Sequence, residues 1–600
     1  MKLNNKHRVL SVVLLMLVMM LSFASVVAFA DDGNSTNVAK VDNNEYATLA
    51  EAIAAANNGD TVTLLDDISV SEQLNIEKAI TIDLGGYTLT NIYAPSKDSY
   101  SLLTRVAVTM KNGTYKSTKA SARGIAACAD FTLENATVEA AGLVGLGCSA
   151  PDATYTVKNS TVIGNYALAN FVNNATINIE SSTITGTGTG IYHNGSNSGL
   201  RLTAVDSTIT AAATGTTNGI YVSGSTDTMA AAGAQQVTLT NCTVSGGTAI
   251  EVKYTDLTLT DCTVTATGET PSYTQDNNGA TTAGFAVVST DNATGAATPA
   301  PKGTITIQGA NGSYKGQVGL ASLETVKTGY ADFKDTTYAI SGGSFTKEVL
   351  PEYCAEGFEP AENGDGTYGV KVAPVAKIGT VEYTTLNEAF AAAKDGDTIT
   401  IVRDFTTDVT KTTAADRATV TVNVTLDFGS YVMTVPASLE PTDNFMAILV
   451  DGSTLTVEGT TGGIVSGDAE TCGVYGFNVK GGGKLVINGG SYYCGITVAQ
   501  AQLGTIEVNG GNFAVNDANG KYPGYMFNCV DANYVAGTAG ITVNGGTFVD
   551  YDPRNNAAEG ANTSFVASGV GVDKNTGGTF TAKSGMVAQI VDANGNSVAA

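Results

Sequence analysis

One short phrase returns seven times in the first part of this 600-residue chain: NGTY from Asn112, NATV from Asn135, NSTV from Asn159, SSTI from Ser181, DSTI from Asp206, NCTV from Asn241 and DCTV from Asp261. The steps between them are 23, 24, 22, 25, 35 and 20 residues. Short runs of alternating β-branched and polar residues, the pattern of half-buried strands, fill each step. A period of this length is too short for a propeller blade and lacks the leucine spacing of leucine-rich repeats. It fits one turn of a parallel β-helix, whose coils stack at the inter-strand distance of ~4.8 Å so that matching positions form ladders along the axis. Asn, Asp and Gly recur because the corners between strands need left-handed or otherwise unusual backbone angles, and stacked Asn amides bond to one another. The later part of the chain has its own phrase, NGGSY from Asn488, NGGNF from Asn509, NGGTF from Asn544 and TGGTF from Thr576, with steps of 21, 35 and 32. The longer steps read as coils with extruded loops, notably Gly268 to Gly303 and Gly520 to Ala539.

A second repeat sets the domain plan. The 27 residues from Val38 and the 27 from Val375 match without a gap at an offset of 337, with 16 identities. Thr48 to Glu51 and Thr385 to Glu388 both read T-x-x-E, a capping box at a helix start. Leu49, Ala52, Ile53 and Ala56 then give one apolar stripe. Gly59 and Gly396 are expected to stop the two helices before strands beginning at Thr61 and Thr398. Each copy therefore opens with an amphipathic lid helix, at about 46–58 and 383–395, over a solenoid spanning 38–372 and 375–600. The fold class is all-β, two tandem right-handed parallel β-helices forming a rod.

Composition narrows the partners. Lys2, Lys6 and Arg8, the apolar run Val9 to Ala24 and the Ala28-Phe29-Ala30 site read as a secretory signal over residues 1–30, cleaved on export. The mature charge is then 28 minus 56, or −28. Such an acidic surface cannot displace counterions from phosphates, which argues against nucleic acid and against anionic lipid. No later stretch reaches membrane-spanning length, and neither an LPxTG-type sorting signal nor a hydrophobic C-terminal tail is seen. The expected place is secreted or at a cell surface, attached indirectly.

At this point the chain resembles a known group. The lid string Y-x-T-L-x-E-A-x-A-A-A followed by GDT, ITIDLGGYTL from Ile80, VTLDFGSYVM from Val424, and ISGGSFTKEVLPEYCAEGFEPAENGDGTYGV from Ile340 are similar to the right-handed parallel β-helix (pectin-lyase-like) domains of secreted or surface proteins of Gram-positive gut bacteria. The resemblance covers nearly the whole mature chain and implies an adhesin-like role. The second copy lacks the closing EYCAEGF…DGTYGV string, so its cap differs or the natural chain continues.

The fold also hosts polysaccharide lyases and glycoside hydrolases, so enzyme chemistry must be sought in residues. A pectate-lyase-like site needs carboxylates for calcium and an Arg base. After the signal the arginines are Arg105, Arg123, Arg201, Arg403, Arg417 and Arg554, none in an R-x-P-x-x-R context. A polygalacturonase-like hydrolase needs a Gly-His-Gly element, whereas the sole mature histidine, His193, lies in IYHNGSNSG. His193 as a base near Asp206 is set against a turn histidine. Asp66 and Asp67, aligned with Arg403 and Asp404, and Asp83, aligned with Asp427, read as corner residues. No catalytic residue, metal or cofactor is assigned.

Cysteine gaps of one coil place Cys128 with Cys148, Cys242 with Cys262, and Cys472 with Cys494 on adjacent coils. Disulfides are within reach of stacked Cα atoms, but buried ladder positions explain the spacing as well. Cys354 and Cys529 have no partner at that spacing. For binding, most Tyr and Phe rings should stack inward, as in the GGSF, GGNF and GGTF slots. Tyr522, Tyr525 and Tyr534 lie on a Gly- and Pro-containing segment, either as a sugar-stacking platform or as pins for the loop. The reading is a non-enzymatic adhesin-like or spacer module contacting host or cell-wall glycans or surface proteins, with a polysaccharide lyase or glycoside hydrolase as the alternative.

Overall fold

A computed structural model describes residues 37–213, 215–224, 235–268, 270–273, 282–290, 303–321, 336–407, 418–435, 446–466, 475–515, 525–560, 563–575 and 577–585. The segment 1–30 lies outside them. Regular structure is nearly all β, with three α-helices among the described residues: α1 (Leu49–Ala55), α2 (Leu386–Ala392) and α3 (Asp531–Val535). No helix among the described residues is long and apolar enough to cross a membrane. The chain divides into two compact units. One holds the residues up to Tyr353 with Glu362–Gly369, the other Cys354–Ala361 with Val370 onward.

Both units are parallel β-helices in which coils stack in register. In the first, Tyr155, Ile177, Leu202, Val237, Leu257, Ile305 and Tyr338 pair in turn across seven coils. All seven are buried. Their neighbours two places on, Val157 through Ile340, form a second inward column, and the residues between them, polar except for Ala339, face out, as strand alternation requires. In the second unit three parallel ladders wrap one core, represented by Ile399–Leu426–Val457–Ile487–Val508–Val543 in the first sheet. Met433–Ile464–Tyr492–Phe513–Phe548 represents the second, and Ile448–Phe477–Ala499–Phe527 the third.

The repeated phrases are corners. Asn112, Asn135, Asn159, Ser181, Asp206, Asn241 and Asp261 all have φ between 47° and 59°. Only Gly and short polar side chains visit this left-handed region readily, which is why the phrase starts as it does. The next residue explains its second letter. Ser160, Ser182 and Ser207 donate from Oγ to the carbonyls of Lys158 (2.6 Å), Glu180 (2.7 Å) and Val205 (2.7 Å). The same oxygens accept from Ala136 N, Ser160 N and Ser182 N of the preceding coil, each at 3.1 Å. In the second unit the corner amides bond directly: Asn544 Nδ2 donates to Asn509 Oδ1 (2.8 Å), Asn509 to Asn488 (2.9 Å) and Asn488 to Glu458 (2.8 Å). The glycines there have φ of 96° to 116° at Gly490, Gly511 and Gly546. Two places on, Tyr492, Phe513 and Phe548 fold inward and stack at 5.4 and 5.3 Å.

The lids carry both halves of their capping boxes, Thr48 with Glu51 and Thr385 with Glu388. They are shorter than the pattern suggests. Ala56 and Ala393 are already extended, and Gly59 and Gly396, with φ of 94° and 88°, serve the following turn rather than the helix stop. Lys78 Nζ, from the next coil, caps α1 by donating to the carbonyls of Ala54 and Ala56, each at 2.6 Å. A second difference concerns TGGTF from Thr576. Thr579–Ser584 pairs antiparallel with Gly546–Val549 and with Val570–Lys574, so this phrase closes the stack as a hairpin rather than adding a coil. The stretch from Gly268 to Gly303 also holds a strand, Phe285–Thr290, in register with Thr248–Val252.

Candidate functional site

The side chains that an enzyme would gather stand in separate structural contacts. His193 is fully buried. Its Nδ1 lies 2.9 Å from Asn170 Nδ2, and its Nε2 lies 3.0 Å from Gln235 Nε2 and 3.3 Å from the Asn197 carbonyl. A neutral ring that accepts from Asn170 at Nδ1 and donates from Nε2 to the Asn197 carbonyl fits those two partners, while the Gln235 amide nitrogen donates to the same carbonyl at 3.0 Å; burial pushes the ring's pKa down to about 4. Asp206 is a left-handed corner residue and is not among these partners. Asp67 Oδ1 accepts from Thr88 N (2.7 Å) and Asp404 Oδ1 from Val432 N (2.8 Å), one corner role kept in both units. Asp83 and Asp427 likewise accept from Gly85 N (3.0 Å) and Gly429 N (2.8 Å). Arg403 donates to the carbonyls of Ala373, Pro374 and Asp404. Arg123 pairs with Asp98, and Arg554 with Asp552. Among the described residues no three His, Cys, Asp or Glu side chains are placed to hold a metal.

The cysteines fall on ladder positions. Cys128, Cys148, Cys242, Cys262, Cys354, Cys494 and Cys529 carry free thiols; Cys472 lies outside the described residues. Cys128 is not level with Cys148, because Ala127 pairs with Cys148. The coil there is one residue longer than the cysteine gap, so the two thiols alternate across the strand. Cys128 is half-buried and Cys148 buried.

The outer face of the third sheet of the second unit, and in the first unit the ladder that holds Tyr166, Tyr192 and Tyr221, differ from the rest of each solenoid. In the first unit this ladder bears a row of rings, Tyr166 on Tyr192 at 4.6 Å and Tyr192 on Tyr221 at 5.6 Å, continued by Arg123 over Tyr100 and Phe171 at 5.3 and 6.0 Å. Beyond Tyr221 the row ends in Lys253, whose Nζ lies 3.2 Å from Tyr221 Oη, and in Glu251. The Glu251 carboxylate accepts from Asn218 Nδ2 (3.2 Å) and Thr282 Oγ1 (2.8 Å). Tyr221, Asn218, Glu251, Lys253 and Thr282 are all buried, so this end of the face is closed.

In the second unit the corresponding face is partly exposed, at Tyr475, Gln500, Tyr525 and Asn528. Asn478, Gln500 and Asn528 pair across three coils, and strand alternation turns them outward, since Phe477 and Val479 on either side of Asn478 belong to the core. Three residues before them stand Tyr475, Thr497 and Tyr525, brought level by the Gly476 N to Thr497 carbonyl bond (3.1 Å) and the Val498 N to Met526 carbonyl bond (2.8 Å). Asn528 Nδ2 donates to Gln500 Oε1 (3.0 Å) and Asn478 Nδ2 to Gln502 Oε1 (3.2 Å). Asn478 is 2% exposed and Thr497 1%. Neither Asn478 Oδ1 nor Thr497 Oγ1 has a hydrogen-bond partner among the described residues. Each such group costs about 1–3 kcal/mol when covered and unmet. Around them Gln502 and Tyr525 are exposed and Gln500 and Asn528 half-buried.

Of the three tyrosines singled out in the sequence, Tyr525 is on this face and 37% exposed. Tyr534 sits in α3 and packs edge-on against Phe565 at 6.3 Å, pinning that helix to the wall. Tyr522 lies outside the described residues. Sequence reasoning missed Tyr475, Thr497 and Asn478. Their only signal is the one-coil spacing to Tyr525, which the 28-residue step from Thr497 obscures. A shallow trough of about 280 Å³ runs elsewhere in this unit along the glycine corners, lined by Gly490, Gly511, Asn512 and Thr547; its lining has neither a ring nor a charge.

Comparison of the chain with protein-family models, with curated proteins and with solved structures finds no match.

Proposed function

We propose that this chain is a non-enzymatic, exported β-helix module, adhesin-like or spacer in role, that contacts glycans of a host or cell wall through the third-sheet face of its second unit. The observation that carries the reading is the pair of covered, unmet polar atoms, Asn478 Oδ1 and Thr497 Oγ1, on a face whose rows also hold the amides of Gln500 and Asn528 and the tyrosines Tyr475 and Tyr525. Rings supply stacking area and amides supply hydrogen bonds, which is the combination sugar recognition uses. Support for export comes from the basic start, apolar run and small-residue site of residues 1–30. Support for binding over catalysis comes from His193, Arg403 and the paired aspartates, each engaged by the fold itself. The test is a glycan-array screen of the mature protein beside its Tyr475→Ala/Tyr525→Ala variant. The reading expects signal from the parent and its loss in the variant at an unchanged melting temperature.

A further inference from the structure

We propose that the glycan taken by this face is a neutral one, a sugar chain presenting free hydroxyl donors, and that uronate-bearing and sulfated chains are rejected. The inference rests on the glycan-binding reading above and adds the chemical class of the ligand.

Asn478 Oδ1 is an acceptor only, so a group that completes it must donate. A sugar hydroxyl does this. An ionised carboxylate or sulfate cannot, and would set like partial charges against each other. Thr497 Oγ1 can give or take a bond, and so can meet a sugar hydroxyl in either sense. The amides of Gln500 and Asn528 already share one bond, which leaves their outer atoms as neutral partners on the same ladder.

An acidic sugar would also need a cation. Among the described residues the lysine at the margin of this face, Lys480, is held by Asp451 at 3.4 Å. Next to the face stand carboxylates instead. Asp531 is exposed at the start of α3. Glu559 is engaged by Cys529 N and Asn556 Nδ2. The chain as a whole carries −25. A polyanion therefore meets repulsion over a Debye length of ~10 Å, without a compensating pair among the described residues. The footprint is small. Two coil steps separate Tyr475 from Tyr525, about 10 Å at ~4.8 Å per step, so the face holds a short stretch of chain between two rings.

The experiment uses the full mature chain in calorimetric titrations with neutral polysaccharides and with polyuronate and sulfated chains of matched length, at low and high salt. Neutral chains should bind with an affinity that salt hardly changes. Asn478→Leu, which removes the acceptor, and Thr497→Val should each weaken binding about tenfold, with melting temperatures equal to or above the parent's. Acidic chains binding as well as neutral ones, with salt-sensitive affinity, would overturn the neutral-ligand inference and leave the glycan reading standing. No binding of any class would remove both. Neutral binding that survives both folded variants would show that the ligand sits elsewhere and would also overturn the proposal.

Discussion

Cys242 and Cys262 occupy one corner position on successive coils, with Thr263 N bonded to the Cys242 carbonyl at 2.8 Å, and yet they do not bridge. Each thiol donates to the carbonyl two residues before it, Cys242 Sγ to Thr240 O at 3.3 Å and Cys262 Sγ to Thr260 O at 3.4 Å. Ser160, Ser182 and Ser207 do the same in the coils before. The cysteines are thus substitutes for serine in a hydrogen-bonded ladder, and stacking leaves their side chains parallel.

Cys262→Ser should accordingly change stability by less than about 1 kcal/mol, since hydroxyl for thiol keeps the donor and nearly the volume. A reducing agent should leave the melting temperature of the parent unchanged. Urea melts of both, with and without dithiothreitol, check this; a large loss on reduction would mean that a disulfide is present.

The left-handed corners give a second test. Asn159, with φ of 47°, should tolerate Gly, while Asn159→Val should cost about 1–2 kcal/mol, the strain of an L residue in that region, and more because its branch lies at Cβ. Denaturant midpoints of the two variants should differ in that order.

Among glycines, space separates two positions that share a positive φ. At Gly511 (φ 113°) an added Cβ would lie 2.9 Å from Phe513 Cζ, in the stacked ring column, whereas at Gly482 (φ 80°) it would meet nothing within 4 Å. Gly511→Ala should therefore cost more than Gly482→Ala, by about 1–3 kcal/mol. Equal losses would show that the ring column yields.

His193 makes the first unit acid-sensitive. Its folded pKa of about 4 lies below the ~6.5 of an unfolded histidine, so the unfolded chain takes up a proton first as the pH falls. Stability is full above about pH 6.5 and is lost as the pH drops toward 4, by roughly 3 kcal/mol over that window. His193→Gln, which keeps a neutral amide against Asn170 and Gln235, should flatten the pH dependence between those limits relative to the parent. Chemical denaturation at stepped pH reads the difference.

The repeat made the solenoid legible because each corner imposes a backbone angle that few residues accept, so Asn112 through Asp261 write the coil length directly into the sequence. The lids were legible for a similar local reason, the reciprocal bonds of Thr48 with Glu51. Helix length was not, since what ends α1 is the turn of Ala56 and the reach of Lys78 from another coil. The terminal hairpin was missed because TGGTF has the same local chemistry as NGGTF, and only pairing direction tells a cap from a coil. The candidate face was half legible. Tyr525 stood out by composition, but Asn478 and Thr497 are ordinary polar residues until stacking sets them on one face and leaves their oxygens unmet.

Oxidative footprinting of tyrosine side chains, with and without the best neutral glycan from the array, tests the account most directly. Tyr475 and Tyr525 should become protected, while Tyr493, exposed on the second sheet of the same unit, keeps its reactivity. Protection at Tyr493, or at Tyr100 and Tyr166 of the first unit, with none at Tyr475 and Tyr525 would contradict it.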